Sequence, residues 1–286
     1  MKARGLVLDL FADYLRYRGG EVRLRGLIAL MDCFAVPEAT VRVVVARLRK
    51  EGWLESRRDG RETRYLLTET GWRQLESARS RIFKRSTDAW DGQWHLVIYS
   101  VPETERALRE QLRKKLYWLG FGPLSSSVWL SPHDRVDAVR ASFVDQPVIR
   151  IDSFHARSGS AEVDRDMAAR CWGLSTLNRD YTELLERYQP RLSWYRARRL
   201  RGTEALVERA RLLHDYRFFP ARDPDLPARL LPEAWPGQAV HEMFLEAHEL
   251  LREPAEACVD QLLASIGGNA DGEAGGDTRE ADQHAV

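Results

Sequence analysis

The stretch TVRVVVARLRKEGWLESRRDGRETRYLL, residues 40–67, constrains this chain most, because it sets a helical stripe, a glycine stop and an alternating hairpin end to end. Val41, Val44, Val45 and Leu48 recur at the spacing of one buried helix face. Gly52-Trp53 stops that helix. Asp59-Gly60 between alternating segments then predicts a tight turn that sets Arg57 opposite Glu62, Glu55 opposite Arg64, Leu54 opposite Tyr65 and Arg58 opposite Arg61. Upstream, Leu6, Val7, Leu10, Phe11, Tyr14 and Leu15 define a first helix ended by Gly19-Gly20, and Leu24, Leu27, Ile28, Met31 and Phe34 a second. Pro37 and Glu38 mark the start of the third, where a missing N–H costs nothing and the helix dipole favours an anion. Three helices with a hairpin directly after the third predict a winged helix-turn-helix.

At about 100° per residue, Ala39, Val43, Ala46 and Lys50 lie opposite the buried stripe, with Arg42 and Arg47 on its flanks. A low ridge between cations suits a major groove about 12 Å wide, although a single exposed valine is also ordinary. The candidate contacts to double-stranded DNA are therefore Ala39, Thr40, Arg42, Val43, Arg47 and Lys50 on the helix and Arg57, Arg58, Arg61 and Arg64 on the hairpin. Opposed like charges at Arg58 and Arg61 would cost ~0.2–1 kcal/mol, a cost that a phosphate would reverse. A solvated turn with splayed arginines is the other reading. Charge agrees with the first: residues 1–85 carry 19 Lys and Arg against 11 Asp and Glu, whereas the whole chain has a net charge of only +1.

After residue 87 the pattern changes. WHLVIYSVP, FGPLSSSVWLS and VIRIDSF read as extended, and Leu108, Leu112, Leu116 and Leu119, then Val136, Val139 and Phe143, as two intervening helices. That alternation predicts a ferredoxin-like α+β domain. From Met167 helical periodicity dominates, interrupted by the proline-rich ARDPDLPARLLPEAWPG. The expected organisation is an α+β multi-domain chain: a winged-helix domain with linker helix over 1–87, a ferredoxin-like domain over 88–160, a helical C-terminal domain over 161–265 and a disordered Gly- and acid-rich tail over 266–286.

Other chemistry finds little support in the sequence. Cys33, Cys171 and Cys258 have neither disulfide-framework nor zinc-site spacing, and read as buried reduced thiols. His133, His214, His241 and His248 form no HxxxH or HxH set, so no metal is expected, and no cofactor loop or Ser-His-Asp ordering appears. Acids interrupt the opening MKARGLVLDLFADYL, and no apolar run approaches membrane length, so a cytoplasmic chain without a membrane partner is expected.

The stretches LVLDLFADYLRYRGGEVRL, TVRVVVARLRKEGWLESRRDGRETRYLLT, DGQWHLVIYSVPE, LRKKLYWLGFGPLSSSVWLSPHD and DPDLPARLLPEAWPG resemble the PaaX-like family of phenylacetic acid degradation operon repressors. The resemblance implies a homodimeric transcriptional repressor on an inverted-repeat operator, released by an aryl-acyl-CoA thioester such as phenylacetyl-CoA, and no enzymatic activity. For that effector the candidate residues are Trp194, Arg196, Arg198, Arg199, Tyr216 and Arg217, which pair cations for phosphate with aromatics for an acyl group; a solvated arginine face over core aromatics is the alternative. The central block is also similar to small CRISPR-associated ferredoxin-fold nucleases, but Ser100 stands where those enzymes keep a metal-binding aspartate. A nuclease, a CoA thioesterase and a protein-interaction module remain as rivals.

Overall fold

The first apolar stripe forms helix α1 (Ala3–Asp13), burying Leu6, Val7, Leu10 and Phe11. The chain is seen in a computed structural model that describes residues 1–59, 62–85, 90–223 and 225–272. A 3-10 turn (Leu15–Tyr17) follows α1, and Gly19 and Gly20, with φ of 80° and 74°, turn the chain through the left-handed region open to glycine. Next come β1 (Glu21–Arg23), α2 (Leu24–Asp32), α3 (Glu38–Lys50), β2 (Leu54–Asp59), β3 (Glu62–Leu67) and α4 (Glu69–Phe83). Pro37 precedes the first turn of α3, and Glu38 sits within it. Val41, Val45 and Leu48 of α3 are buried in the same core as Leu27, Leu30 and Met31 of α2 and the α1 stripe.

The three strands pair antiparallel in the order β1-β3-β2. Their register corrects the sequence expectation. Leu54 lies opposite Leu67, Glu55 opposite Leu66, Arg57 opposite Arg64, Arg58 opposite Thr63 and Asp59 opposite Glu62. Every partner has moved by two, which keeps each side chain on its expected face and pairs Asp59 within the ladder rather than leaving it in a turn with Gly60. Burial explains the choice: Leu54 and Leu67 are each 3% exposed, and pairing Leu54 with Tyr65 would strand Leu67 beyond the end of the ladder. The Arg58–Arg61 opposition is thus absent in its expected form, since Arg58 faces Thr63 and Arg61 lies outside the described residues.

The hairpin base is fastened at both sides. Thr68 Oγ1 donates to Gly52 O at the end of α3 (2.7 Å) and accepts from Gly71 N in α4 (3.0 Å), while Thr68 N donates to Trp53 O (3.0 Å). Gly71 is required there, because a Cβ would meet Trp53 O at 2.7 Å.

Beyond residue 90 the order is β4 (Trp94–Ser100), α5 (Arg106–Trp118), β5 (Gly122–Pro123), β6 (Val128–Ser131), α6 (Val136–Ala141) and β7 (Arg150–Ala156). These strands form one antiparallel sheet in the order β5-β6-β4-β7. Alternation along β4 sends Val97 and Tyr99 against Leu112 and Leu116 of α5 and Val139 of α6. Trp94 joins Trp90, Leu130, Ala168, Cys171 and Leu174 in a second cluster, which also buries Leu226 and Leu230. The proline-rich stretch therefore packs by its leucines, and between Asp225 and Pro236 it carries a 3-10 turn at Ala228–Leu230.

The remaining helices are α7 (Ala161–Trp172), α8 (Leu174–Tyr188), α9 (Leu192–Arg196), α10 (Gly202–Tyr216), α11 (Phe219–Arg222), α12 (Gly237–Leu250) and α13 (Arg252–Gly272). Ser160 caps α7 by accepting from Val163 N, and Gly173, at φ 58°, ends it. Helix α13 continues past Ile266, the expected start of the tail, and residues 273–286 lie outside the described residues. By contacts, residues 1–79, 194–211 and 247–272 make one compact unit, and 80–193 with 212–246 make the other. The first unit therefore adds to its N-terminal core Leu206 and Ala210 from α10 and Ala255 and Val259 from α13.

Candidate functional site

Helix α3 presents its expected outer ridge. Ala39, Thr40, Arg42, Val43, Ala46, Arg47, Arg49 and Lys50 are all exposed, and Val43 is 67% exposed. Two of its cations fold back along the helix: Arg42 pairs with Glu38 (2.6 Å) and Arg47 with Glu51 (2.8 Å), each across one turn. Arg47 and Arg4 together hold the Glu51 carboxyl below its ordinary pKa. Exposed pairs of this kind are worth about 0.3–0.5 kcal/mol, so a phosphate or guanine can replace the carboxylate at little cost.

The hairpin carries the like-charged pair that the sequence placed elsewhere. Arg57 lies opposite Arg64, and Glu21 of β1 bridges them, Oε2 accepting from Arg57 Nη2 and Oε1 from Arg64 Nη1, both at 2.7 Å. Glu62 plays the same part for Arg23, at 3.0 Å, and Arg25. Arg58 is exposed. Of the ten expected DNA contacts, the first unit thus holds nine described residues on α3 and the adjoining hairpin; Arg61 is the tenth.

Behind this surface, within the same unit, lies a buried charge cluster that the sequence reading did not find. The side chains of Asp13 and Arg209 are each 4% exposed. Asp13 Oδ1 accepts from Arg79 Nη1 (2.7 Å), and its Oδ2 lies 3.0 Å from His248 Nε2 and 3.3 Å from Arg209 Nη1. Burial alone would raise the Asp13 pKa, but the His248 hydrogen bond and the two arginines hold it down at about 2. Burial lowers the His248 pKa, and geometry agrees: Nδ1 lies 3.3 Å from Arg209 Nη2, a donor, so the ring is neutral with its proton on Nε2, facing Asp13. The signal was available, since Asp13, Arg209 and His248 each occupy a stripe position otherwise filled by apolar residues.

The expected effector residues are divided. Trp194, Arg196, Arg198 and Arg199 belong to the first unit, where Trp194 is 57% exposed and Arg198 pairs with Glu253 at 3.1 Å. Tyr216 and Arg217 belong to the second. Tyr216 is 2% exposed, stacked on Phe244 and bonded to His241 Nδ1 (2.8 Å), so it is a core residue. Arg217 contacts His214 Nδ1 at 3.1 Å and lies over Phe218. In the second unit, Arg81, Lys84, Arg85 and Arg135 instead surround one cavity beside Trp118.

One group of possible metal ligands also appears. His95 on β4 and His155 on β7 are cross-strand neighbours with rings 4.7 Å apart, and His95 Nδ1 is 3.8 Å from Asp134. Their donor atoms lie within 4.8 Å of one another. Cys171 and Cys258 are buried thiols and Cys33 is half-buried.

Three family models match consecutive parts of the chain: a PaaX-like protein model over residues 2–71, the PaaX protein central Cas2-like domain over 87–168 and the PaaX-like protein C-terminal domain over 172–261. The transcriptional repressor PaaX of Escherichia coli (strain K12) is 30% identical over 262 residues, covering 90% of this chain and 82% of that protein. This chain belongs to the PaaX-like family. The solved structure of an uncharacterized protein from Mycobacterium tuberculosis, 25% identical with a TM-score of 0.61, is similar over 90% of this chain and 98% of its own. The PaaX-like assignment thus spans both units, and homology to a repressor supports a role in transcription regulation. Among the described residues no helix is long and apolar enough to cross a membrane.

Proposed function

We propose that the chain is a cytoplasmic, sequence-specific DNA-binding repressor that acts as a homodimer on an inverted repeat. Residues 1–87 are its winged helix-turn-helix and linker helix, 88–160 a ferredoxin-like domain and 161–265 a helical C-terminal domain. The βαββαβ element order and the strand order β5-β6-β4-β7 support the second assignment. One observation carries the DNA reading: the outer ridge of α3 is exposed and narrow at Ala39, Val43 and Ala46, with Arg42 and Arg47 beside it and the arginine-bearing hairpin fastened to its end. A helix of this profile reads base edges through Arg42, Thr40, Val43 and Arg47, while Arg57, Arg58 and Arg64 track phosphate.

Repression follows from occupying the operator, and an aryl-acyl-CoA such as phenylacetyl-CoA releases it. A regulator rather than an enzyme is supported by homology to a repressor and by Ser100, a weak cation ligand, at the end of β4. The test is a footprint on the upstream region of the chain's own gene, with and without a panel of acyl-CoA thioesters. A protected inverted repeat that clears with intact thioester is the expected result; sequence-independent binding, or turnover of the thioester, contradicts the reading. Within that assay, Arg42→Ala should narrow the gap between operator and random DNA by ~1–3 kcal/mol, the size of one bidentate guanine contact.

A further inference from the structure

Two cavities of similar size are lined by arginines, and they differ in how those arginines are neutralised. One, of about 420 Å³ in the first unit, is lined by Arg198, Arg201 and Glu253, and Arg198 is already paired with Glu253 at 3.1 Å. The other, of about 430 Å³, lies wholly within the second unit, where among the described lining residues Arg81, Lys84, Arg85 and Arg135 meet two acids, Asp223 and Asp225.

Both carboxylates are committed to one arginine. Arg85 donates through Nη2 to Asp223 (2.8 Å) and through Nε to Asp225 (2.7 Å), and Tyr181 OH donates to the same Asp223 oxygen at 2.8 Å. The third nitrogen of Arg85, Nη1, is buried with no hydrogen-bond partner among the described residues. Arg81 and Arg135 are held differently. Arg81 donates to the carbonyls of Trp118 and Pro220, both at 2.8 Å, and lies 4.1 Å over the Trp118 ring; Arg135 donates to Leu119 O at 3.1 Å. Neutral carbonyls fix a guanidinium in place without cancelling its charge. Burial, and then the charge of Arg135, lower the Arg81 pKa against the opposing pull of Asp225. The Lys84 side chain is exposed at the C-terminal end of α4 and carries no ion pair among the described residues.

We propose that this cavity binds the clustered phosphates of an organic ligand: Lys84 supplies mobile charge, Arg81 and Arg135 supply donors held by backbone carbonyls, and Arg85, clamped by Asp223 and Asp225, forms a wall with one spare N–H. A volume of about 430 Å³ lies within the range of about 300–1,000 Å³ typical of small-molecule sites. The cavity draws on residues far apart in sequence, and its two acids open the proline-rich stretch 223–237, giving that stretch a role beyond packing. Two sources share this chemistry, a free nucleotide and the nucleotide end of a CoA thioester. Where the ligand is the thioester, the inference rests on the repressor reading; the cavity's charge does not.

Full-length protein is titrated calorimetrically with CoA, ADP, inorganic pyrophosphate and pantetheine, which lacks phosphate. CoA and pyrophosphate should bind, more weakly as salt rises, and pantetheine should not. If ADP matches CoA, the ligand is a nucleotide; if CoA is much the tighter, it is a thioester. The double variant Lys84→Gln, Arg135→Gln should lose CoA affinity about 100-fold, near tenfold per charge-assisted contact, with the wild-type far-UV circular dichroism retained. Lys84→Gln alone, at an exposed side chain with no ion pair among the described residues, should lose about tenfold. Pantetheine binding as tightly as CoA, or a double variant within twofold of wild type, overturns the proposal. A thioester that releases operator equally from wild type and double variant removes the cavity and leaves the repressor reading standing. Pyrophosphate binding lost in the variant, with no thioester releasing operator, keeps the cavity and removes that effector.

Discussion

Two carboxylates in the first unit do the same work in opposite surroundings. Glu21 bridges Arg57 and Arg64 on the hairpin, and Asp13 bridges Arg79 and Arg209 beneath it, with His248 as a third partner. Distances are alike, about 2.7 Å for the best contact of each. Exposure is not: the side chain of Glu21 is 21% accessible, that of Asp13 4%. In water the bridge is weak and its acid is replaceable by another anion; in the core, removing the acid strands charges that nothing else can reach. One arrangement therefore leaves its arginines open to another anion, and the other makes a structural pin.

The sharpest way to break the comparison is Asp13→Asn. It should cost ~3–5 kcal/mol of stability, the usual penalty for leaving buried cations unpaired, seen as a fall in urea midpoint; a loss below 1 kcal/mol would make the two bridges equivalent. Acid should act on the same cluster in two steps. The His248 pKa is held below its ordinary 6.5, so the unfolded chain takes up the proton first, and stability declines as pH falls through about 6.5. Asp13, held at about 2 against 3.8, contributes fully above its ordinary pKa and loses that contribution only as pH falls from about 4 towards 2. Thermal melts from pH 8 to 3 on wild type and His248→Gln should show the upper part of this decline flattened in the variant.

Smaller effects belong to the surface bridge. Arg57→Ala with Arg64→Ala should weaken binding to every DNA sequence and reduce the salt slope by up to about two charge units, while leaving the melting temperature nearly unchanged. Glu21→Gln should have the smallest effect, under ~1 kcal/mol in stability, but with a telling sign: freeing both arginines should raise affinity for random DNA in filter binding. A drop in affinity would mean that Glu21 positions the arginines rather than competing with phosphate for them.

The exposed face of α3 was legible because helical periodicity is a local property: Val41, Val45 and Leu48 are buried, and the positions opposite them are open. Hairpin register was not, because the Asp-Gly signal is local while the choice between Tyr65 and Leu67 as partner for Leu54 depends on a core that only the folded chain supplies. The succession of strands and helices around β4 follows from the alternation of apolar blocks, yet the clustering of cations on a cavity does not. Arg81, Arg135 and Asp223 meet through tertiary packing alone, whereas the arginines adjacent in sequence near Trp194 point to separate partners or to solvent. Asp13 shows a middle case, in which an acid breaking an apolar stripe announced burial without naming its partners.

Thr68 has a mechanical consequence. With one hydroxyl tied to Gly52 and Gly71, and its own N–H to Trp53, the hairpin has no hinge at its root and travels with α3 as one jaw of fixed span. Whatever that jaw closes on must match its width, and adjustment is left to the swing of long arginine stems at the rim.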